Sequence, residues 1–491
     1  MSFWRGVLWG AAGTVAGAGL VGGLLTRRVT RGLMHRAAAR VTGEIMETGK
    51  YDANMAEMFT AMVGRHPRVL LETALRAERG QAISRPLFTT KRFIHFDDLM
   101  FIPAQLSTLP TDENQRIDLT TVIGPRAGRP LKLDLPVYIS GMALGLSLSD
   151  RCKIALAKGA AAAGTATNSG EGGFHPLERK HAKYYILQYT RGGWPADPEV
   201  FRQADAIEIQ VGQGAQAGSP QSTPGWKLTD EQRRALGLSE GQDAVIHSRF
   251  PEVEKPSDFR KLVSRIRSMA GEIPVGIKLA AGHRLEDDLE VALEAGVDFV
   301  TVDGAQASSH AAQPILLDDF GIPSLIALCR AARVLQGTGV SLVVSGGFMT
   351  PGEILKALAL GADAVAVGAA AVMAAVHGQW QKIAPFDPPT SLVWHDGKHR
   401  DKFDVEEGAR DVANWFAAVA DELVTGVRSV GKRSVHEVSR EDLCALTPES
   451  AAITGLPLAW YPPGEEPAGI LQWPAAHFQE ATESPAPGPV H

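Results

Sequence analysis

Residues 274–304 read PVGIKLAAGHRLEDDLEVALEAGVDFVTVDG. Val275–Leu279 is a short apolar run interrupted by one lysine, Leu285–Ala295 repeats its apolar residues at helical spacing, and Phe299–Val302 is again short and β-branched. A strand, a helix and a second strand in that order make one βα unit of a parallel sheet. The same alternation runs from Leu135 to His377. Further strand candidates are Val137–Gly141, Gly164–Thr167, Tyr184–Tyr189, Ala206–Val211, Ser341–Val344 and Ala364–Val367. Helical patterns fill the gaps at Ser149–Ala163, Ser257–Met269, Pro323–Leu335 and Pro351–Leu360. Eight such units predict an α/β chain whose residues 131–380 close into a (β/α)8 TIM barrel, because open doubly wound sheets usually have fewer. Gly212 to Pro256, between the fourth and fifth strands, then becomes an insertion over the active face.

Outside the barrel the pattern changes. The chain has 491 residues, 45% apolar and 21% charged, with a net charge of -6. That balance offers no basic field for nucleic acid, so no nucleic-acid partner is expected. Cys152, Cys329 and Cys444 are scattered, without the spacing of a disulfide framework or a zinc site. Gly6–Leu25 is an uncharged apolar run of about the ~20 residues a spanning helix needs. Arg27, Arg28, Arg31, Arg36 and Arg40 follow it. Cytoplasmic flanks accumulate cations, so residues 1–29 predict a single-pass transmembrane anchor that leaves the catalytic body cytoplasmic. A cleaved signal peptide is the competing reading, although no clear A-x-A site closes the run. Residues 30–130 predict a helical lead-in and linker, helical for example over Tyr51–Arg79. Residues 381–462 predict an extension packing on the barrel, helical over Val405–Val424. The Pro-, Glu- and Ala-rich residues 463–491 predict a disordered tail.

Working residues of such a barrel lie at the carboxyl ends of its strands. Those ends are polar and glycine-rich: Ser140-Gly141-Met142, Asn168 to Gly173, Gln188, Gln210 to Gly214, Lys278, Asp303-Gly304, Ser345-Gly346-Gly347 and Gly368-Ala369. Glycines let backbone N–H groups approach an anion, and the helix after Gly368 adds its positive end, so the last two loops predict a phosphate site. The bland alternative is that they only make tight turns. Lys278, at the end of an apolar strand, calls for an anion because lysine is rarely buried alone. A flavin is one such anion, since a cation near its N1 and C2 carbonyl stabilises the reduced ring. A Schiff-base lysine, or an ion pair with Asp303 or Glu208, would satisfy the same pattern. Gln188 and Asn168 suit a ring's amide-like edge, or loop backbone.

ISGMALG (139–145), NSGEGG (168–173), ILQ (186–188), IEIQVGQGAQAG (207–218), PGWK (224–227), GIKL (276–279) and ADAVAVGAAA (362–371) resemble the FMN-binding synthase domain of glutamate synthase, over roughly Phe96 to Gln379. A shorter stand-alone branch of that family also shares PFDPPTSLVWHDGK (385–398) and GKRSVHEVSREDL (431–443). The resemblance implies FMN held by Ser140, Gly141, Met142, Asn168, Gln188, Lys278, Ser345, Gly346, Gly347, Gly368 and Ala369. It implies reduction of 2-iminoglutarate, formed from 2-oxoglutarate and ammonia, to glutamate. Lys278, Gln188 and Glu171 are the catalytic candidates. Arg191, Gln213 and Lys227 are substrate candidates, Arg191 because a guanidinium can clamp a carboxylate, with a solvated loop arginine as its alternative.

Departures from the family narrow the expectation. The chain begins Met1-Ser2 where full-length enzymes carry a glutaminase domain with an N-terminal cysteine, so a separate ammonia-supplying subunit is expected. Val376–Gln379 stands where the family has the cysteines of an iron-sulfur cluster, so no cluster and no metal is expected and an electron-donor protein or reductant must serve. Gln210 and Gln216 replace lysines, and GAQASSHAAQP (304–314) replaces a glycine-rich loop. His310 in that loop is either a new acid or base, since imidazole titrates near neutrality, or a surface histidine. Three functions stay open: an FMN enzyme forming glutamate or an N-substituted glutamate, an FMN oxidoreductase of another small molecule, and a non-catalytic flavin-binding scaffold.

Overall fold

The computed structural model describes residues 29–41, 43, 55–64, 66–195 and 197–462. The chain divides into two units, Met1–Ile83 and Ser84–His491. In the first, the helical stretch expected over Tyr51–Arg79 is two helices, Met55–Gly64 and Pro67–Arg79. Pro67 disfavours helical backbone in the residue before it and opens the second helix, whose Gly80 cap is left-handed at φ 61°.

The second unit is built on an eight-stranded parallel sheet. Its strands are β1 Val137–Ile139, β2 Ala166–Asn168, β3 Tyr184–Thr190, β4 Ala206–Gln210, β5 Val275–Ala280, β6 Phe299–Asp303, β7 Ser341–Ser345 and β8 Ala364–Val367. Hydrogen bonding runs in the order β1-β8-β7-β6-β5-β4-β3-β2, so the barrel is nearly closed. The remaining seam, between β1 and β2, is bridged by Thr165 Oγ1 donating to the Val137 carbonyl at 2.5 Å and by Asp134 N–H donating to Gly164 at 3.0 Å. The helices are α1 Asp150–Ala162, α2 Pro176–His181, α3 Pro198–Phe201, α4 Phe259–Ala270, α5 Leu285–Ala295, α6 Ser324–Leu335, α7 Pro351–Ala359 and α8 Ala369–Val376. Each follows the strand of its number, which is the expected βα alternation.

Side chains of a strand alternate between its faces. Tyr138, Ala166, Ile186, Ala206, Phe299, Val343, Ala364 and Ala366 form the barrel's inner apolar cluster, joined by Ile123, Leu131 and Leu133 of the hairpin formed by Thr121–Ile123 and Leu131–Leu133. Gly276 is required there: a Cβ on it would stand 2.5 Å from the Phe299 ring. The outer faces of the strands and the helices form the larger core. The Gly212–Pro256 insertion contains the hairpin Gln221–Thr223 with Ala244–Ile246 and the helix Asp230–Leu236. Its Leu228, Leu236, Ala244 and Ile246 pack with Trp194. After the barrel, α9 Val405–Ser429 lies against α1, so closely that a Cβ on Gly159 would meet Val412 at 2.5 Å.

The membrane span expected at Gly6–Leu25 is corrected. It falls outside the described residues, and among those described no helix is long and apolar enough to cross a membrane. The helical residues 29–41 carry Arg31, Arg36 and Arg40, so they cannot prolong an apolar span. A single-pass placement therefore has no support in the structure. The tail expected at 463–491 also lies outside the described residues.

Candidate active site

Alternation along the strands that builds the apolar interior puts polar groups above it. Asn168, Gln188, Glu208, Gln210, Lys278, Thr301, Asp303 and Ser345 stand at inward positions near the carboxyl ends of β2 to β7, all buried. In-register pairing sets Lys278 between Gln210 and Thr301, and Asp303 beside Ser345. Glu208 organises the lower layer. Its Oε1 accepts from Asn168 Nδ2 at 2.9 Å and Gln188 Nε2 at 2.7 Å, and its Oε2 accepts from Thr301 Oγ1 at 2.7 Å. With both amide donors engaged, Asn168 Oδ1 accepts from Gly170 N–H at 2.9 Å, while Gln188 Oε1 has no hydrogen-bond partner among the described residues.

The upper layer opens into a cavity at the carboxyl end of the barrel. Ser140, Gly141, Met142, Glu171, Gln213, Lys278, Ser345, Gly346, Gly347, Gly368 and Ala369 line it, as does Asp303. Asn168, Gln188 and Arg191 do not line it. Asn168 and Gln188 sit one layer below, where a Cβ on Gly141 would be 2.6 Å from Gln188 Nε2. Lys227 is exposed, with its ammonium 5.2 Å from the Trp226 ring, and is not part of the cavity wall.

Lys278 is 2% exposed. Its Nζ stands 3.4 Å from Ser140 Oγ and 3.7 Å from Asp303 Oδ2. Glu208 is not its partner, whereas Asp303 is a distant one, already accepting from Ser345 Oγ at 2.5 Å and Gly214 N–H at 2.9 Å. Glu171 accepts from Gln210 at 2.8 Å and Gln216 at 3.3 Å. Burial raises its carboxyl above the ordinary value, opposed by Arg191, Gln216, Lys278 and Gln210. Arg191 is no solvated loop residue: it is fully buried, donates from Nη1 to Ser248 O at 3.2 Å, and has no hydrogen-bond partner for Nε and Nη2 among the described residues.

Three parts of the wall escaped sequence reasoning. Leu87 and Phe88 come from the lead-in, where Arg85–Leu87 pairs with Ser309–Ala312, and Trp394 comes from beyond the barrel. Local pattern gives no sign that such distant segments meet; only the shared family blocks 385–398 hinted at Trp394. His310, weighed as a surface residue, lines the cavity with its side chain 18% exposed.

Residues 83–433 match the family model described as the conserved region in glutamate synthase. The chain belongs to the glutamate synthase family. This is a family of FMN-type barrel oxidoreductases, and the matched region takes in the lead-in strand and α9 as well as the barrel. A glutamate synthase large subunit-like protein of Rhizobium meliloti (strain 1021) is 35% identical over 400 residues, 76% of this chain and 90% of that protein. An archaeal-type glutamate synthase [NADPH] of Thermotoga sp. (strain RQ2) is 31% identical over 332 residues, 67% of this chain and 64% of that protein. The chain thus spans less than two thirds of the Thermotoga relative's length. Among solved structures, a lactate oxidase of Pediococcus acidilactici covers 70% or more of the chain at 17% identity (71% of this chain and 83% of that one) with a TM-score of 0.46.

Proposed function

We propose that this glutamate synthase family member binds FMN in the cavity and reduces 2-iminoglutarate, formed from 2-oxoglutarate and ammonia, to glutamate. The observation that carries the reading is Lys278: a buried cation, held loosely by Ser140 and Asp303, on the wall of a cavity that the Ser345–Gly347 and Gly368–Ala369 loops also line.

The residues present fit the cofactor. Gly346 and Gly347 have φ of 112° and 87°, backbone that only glycine adopts readily, and α8 begins at Gly368 with no side-chain cap. These loops would hold the phosphate with backbone N–H groups and the positive end of α8. Lys278 would lie against the ring's N1 and C2 carbonyl edge, with Ser140 to Met142 along it and the Asn168, Gln188 and Glu208 layer beneath fixing Gly141. When bound, the flavin supplies hydride to the imine carbon. Glu171 and Gln213 would face the substrate, and Glu171, whose carboxyl is raised above its ordinary value by burial, is suited to hold a proton near the new amine. Electrons would come from a partner protein or diffusible reductant.

A second reading, an N-substituted glutamate or another small molecule as product, draws on one observation. Among the described residues Lys278 is the only lysine or arginine lining the cavity, and Gln210 and Gln216 donate to Glu171. A dicarboxylate would meet few cations there. The test is to reconstitute the purified protein with FMN, reduce it without oxygen, and add 2-oxo acids with ammonium or with primary amines. Flavin reoxidation with release of glutamate upholds the first reading; reoxidation only by an amine or another oxo acid upholds the second.

A further inference from the structure

The loop after β6 carries Ser309–Ala312, paired antiparallel with Arg85–Leu87. His310 is on it. Its ring meets Trp394 edge-on, with centroids 4.7 Å apart at 71°, and its Nε2 stands 3.2 Å from Asp396 Oδ1. Both aromatic rings line the cavity. With Nε2 committed to a carboxylate, the remaining nitrogen, Nδ1, carries no hydrogen bond among the described residues, and the aspartate fixes which nitrogen that is.

The cavity's other titratable side chains are engaged. Asp303 accepts from Ser345 and Gly214, Glu171 from Gln210 and Gln216, and Lys278 faces Ser140 and Asp303. Among the described residues, Asp396 stands 3.2 Å from His310, and His395 also interacts with it electrostatically. On the paired strand Arg85 is turned to Asp318 at 2.5 Å. Burial lowers the pKa of His395, followed by the charge of Arg400, so that ring favours its neutral form.

We propose that His310 is the acid–base residue for exchange of a carbonyl oxygen for an amine nitrogen on the 2-oxo acid, with Asp396 as its positioning residue. The inference rests on the function proposed above. The amine nitrogen bonds to the carbonyl carbon, and the C=O π pair moves onto oxygen. Nδ1 takes a proton from that nitrogen and gives it to the oxygen. A second transfer lets the C–O bond break with loss of water as the nitrogen lone pair forms C=N. Two N–H protons end on the water, and no electrons are gained or lost.

The test uses the full chain loaded with FMN, reduced anaerobically, and mixed with 2-oxoglutarate and ammonium while flavin absorbance is followed across pH. His310→Gln should reoxidise about 100-fold more slowly or worse, the scale of a lost general acid–base. It should also lose an ionisation present in the wild-type profile, while binding FMN as tightly in a fluorescence titration. Imidazole added to His310→Ala should restore part of the rate, and Asp396→Asn should lower kcat while the KM for the oxo acid and the binding of FMN stay as in the wild type. His310→Gln with wild-type rate and profile overturns the inference. So does a slow His310→Ala that imidazole does not rescue and that no longer binds FMN, which is a structural defect. A wild type that no oxo acid and amine reoxidise defeats the proposed function and this inference together, and is distinguished by failing before any substitution is made.

Discussion

Lys278 owes its exposure of 2% to its inward position on β5 and, among the described residues, has no carboxylate closer than 3.7 Å. A cation so placed has its largest effect on whatever anion forms above it. We expect Lys278→Met, which roughly keeps side-chain volume, to leave folding largely intact and to lower the two-electron flavin midpoint by about 30 mV or more, equivalent to ~1.4 kcal/mol. Spectroelectrochemical titration of both proteins measures it, and an unchanged midpoint would assign Lys278 to structure alone. Glu171 gives a pH-dependent counterpart. Its carboxyl is raised, chiefly by burial, so folding prefers the protonated form. The stability it contributes is full below the unfolded carboxyl value of about 4.3 and is lost as pH rises through the higher folded value. Urea midpoints at acid and neutral pH should therefore show Glu171→Gln gaining on the wild type as pH rises; a difference that does not vary with pH refutes this.

At the scale of elements, the loop after β2 is anchored from behind. Lys153 of α1 and Glu178 of α2 form a buried pair at 2.7 Å, and Lys153 also donates to the Asn168 carbonyl at 2.7 Å. Removing one member leaves an unpaired buried charge. Lys153→Met should cost about 3–5 kcal/mol, and the Lys153→Met/Glu178→Gln double variant should recover much of it. Equilibrium urea unfolding decides, and a double variant no more stable than the single would show that the pair's value lies in the Asn168 contact. Strands and helices were the legible part of this fold, because each strand is a compact apolar run and each long helix has its own period. The sequence also held an unused signal: Glu208 and Gln210 share inward parity with Ala206, which marks Glu208 as a buried carboxylate needing donors. The hub it makes with Asn168 and Gln188 followed from that alternation. By contrast, Arg191 looked like a loop residue because nothing local reveals that the insertion covers it.

For the whole molecule, the least-bonded line is the seam between β1 and β2, where side chain and loop do the work of a ladder. Thr165→Val removes the donor to Val137 and should cost about 1 kcal/mol, with faster amide exchange concentrated on β1 and β2. Exchange that rises evenly around the barrel would contradict this. The barrel itself could be foreseen from repetition, but its roof could not. Leu87, Phe88, His310 and Trp394 meet only because a strand before the barrel pairs with a loop inside it and a turn after it closes over both. That arrangement has a consequence for the chain's birth. Domains fold as units while synthesis proceeds from the amino end, and here Phe88 emerges from the ribosome long before Trp394. A nascent chain that has just released α8 therefore has every barrel strand and both glycine loops but not Trp394 of the roof. Completion of the roof and of translation are therefore linked: a product ending before Trp394 lacks the ring that packs against His310 over the cavity.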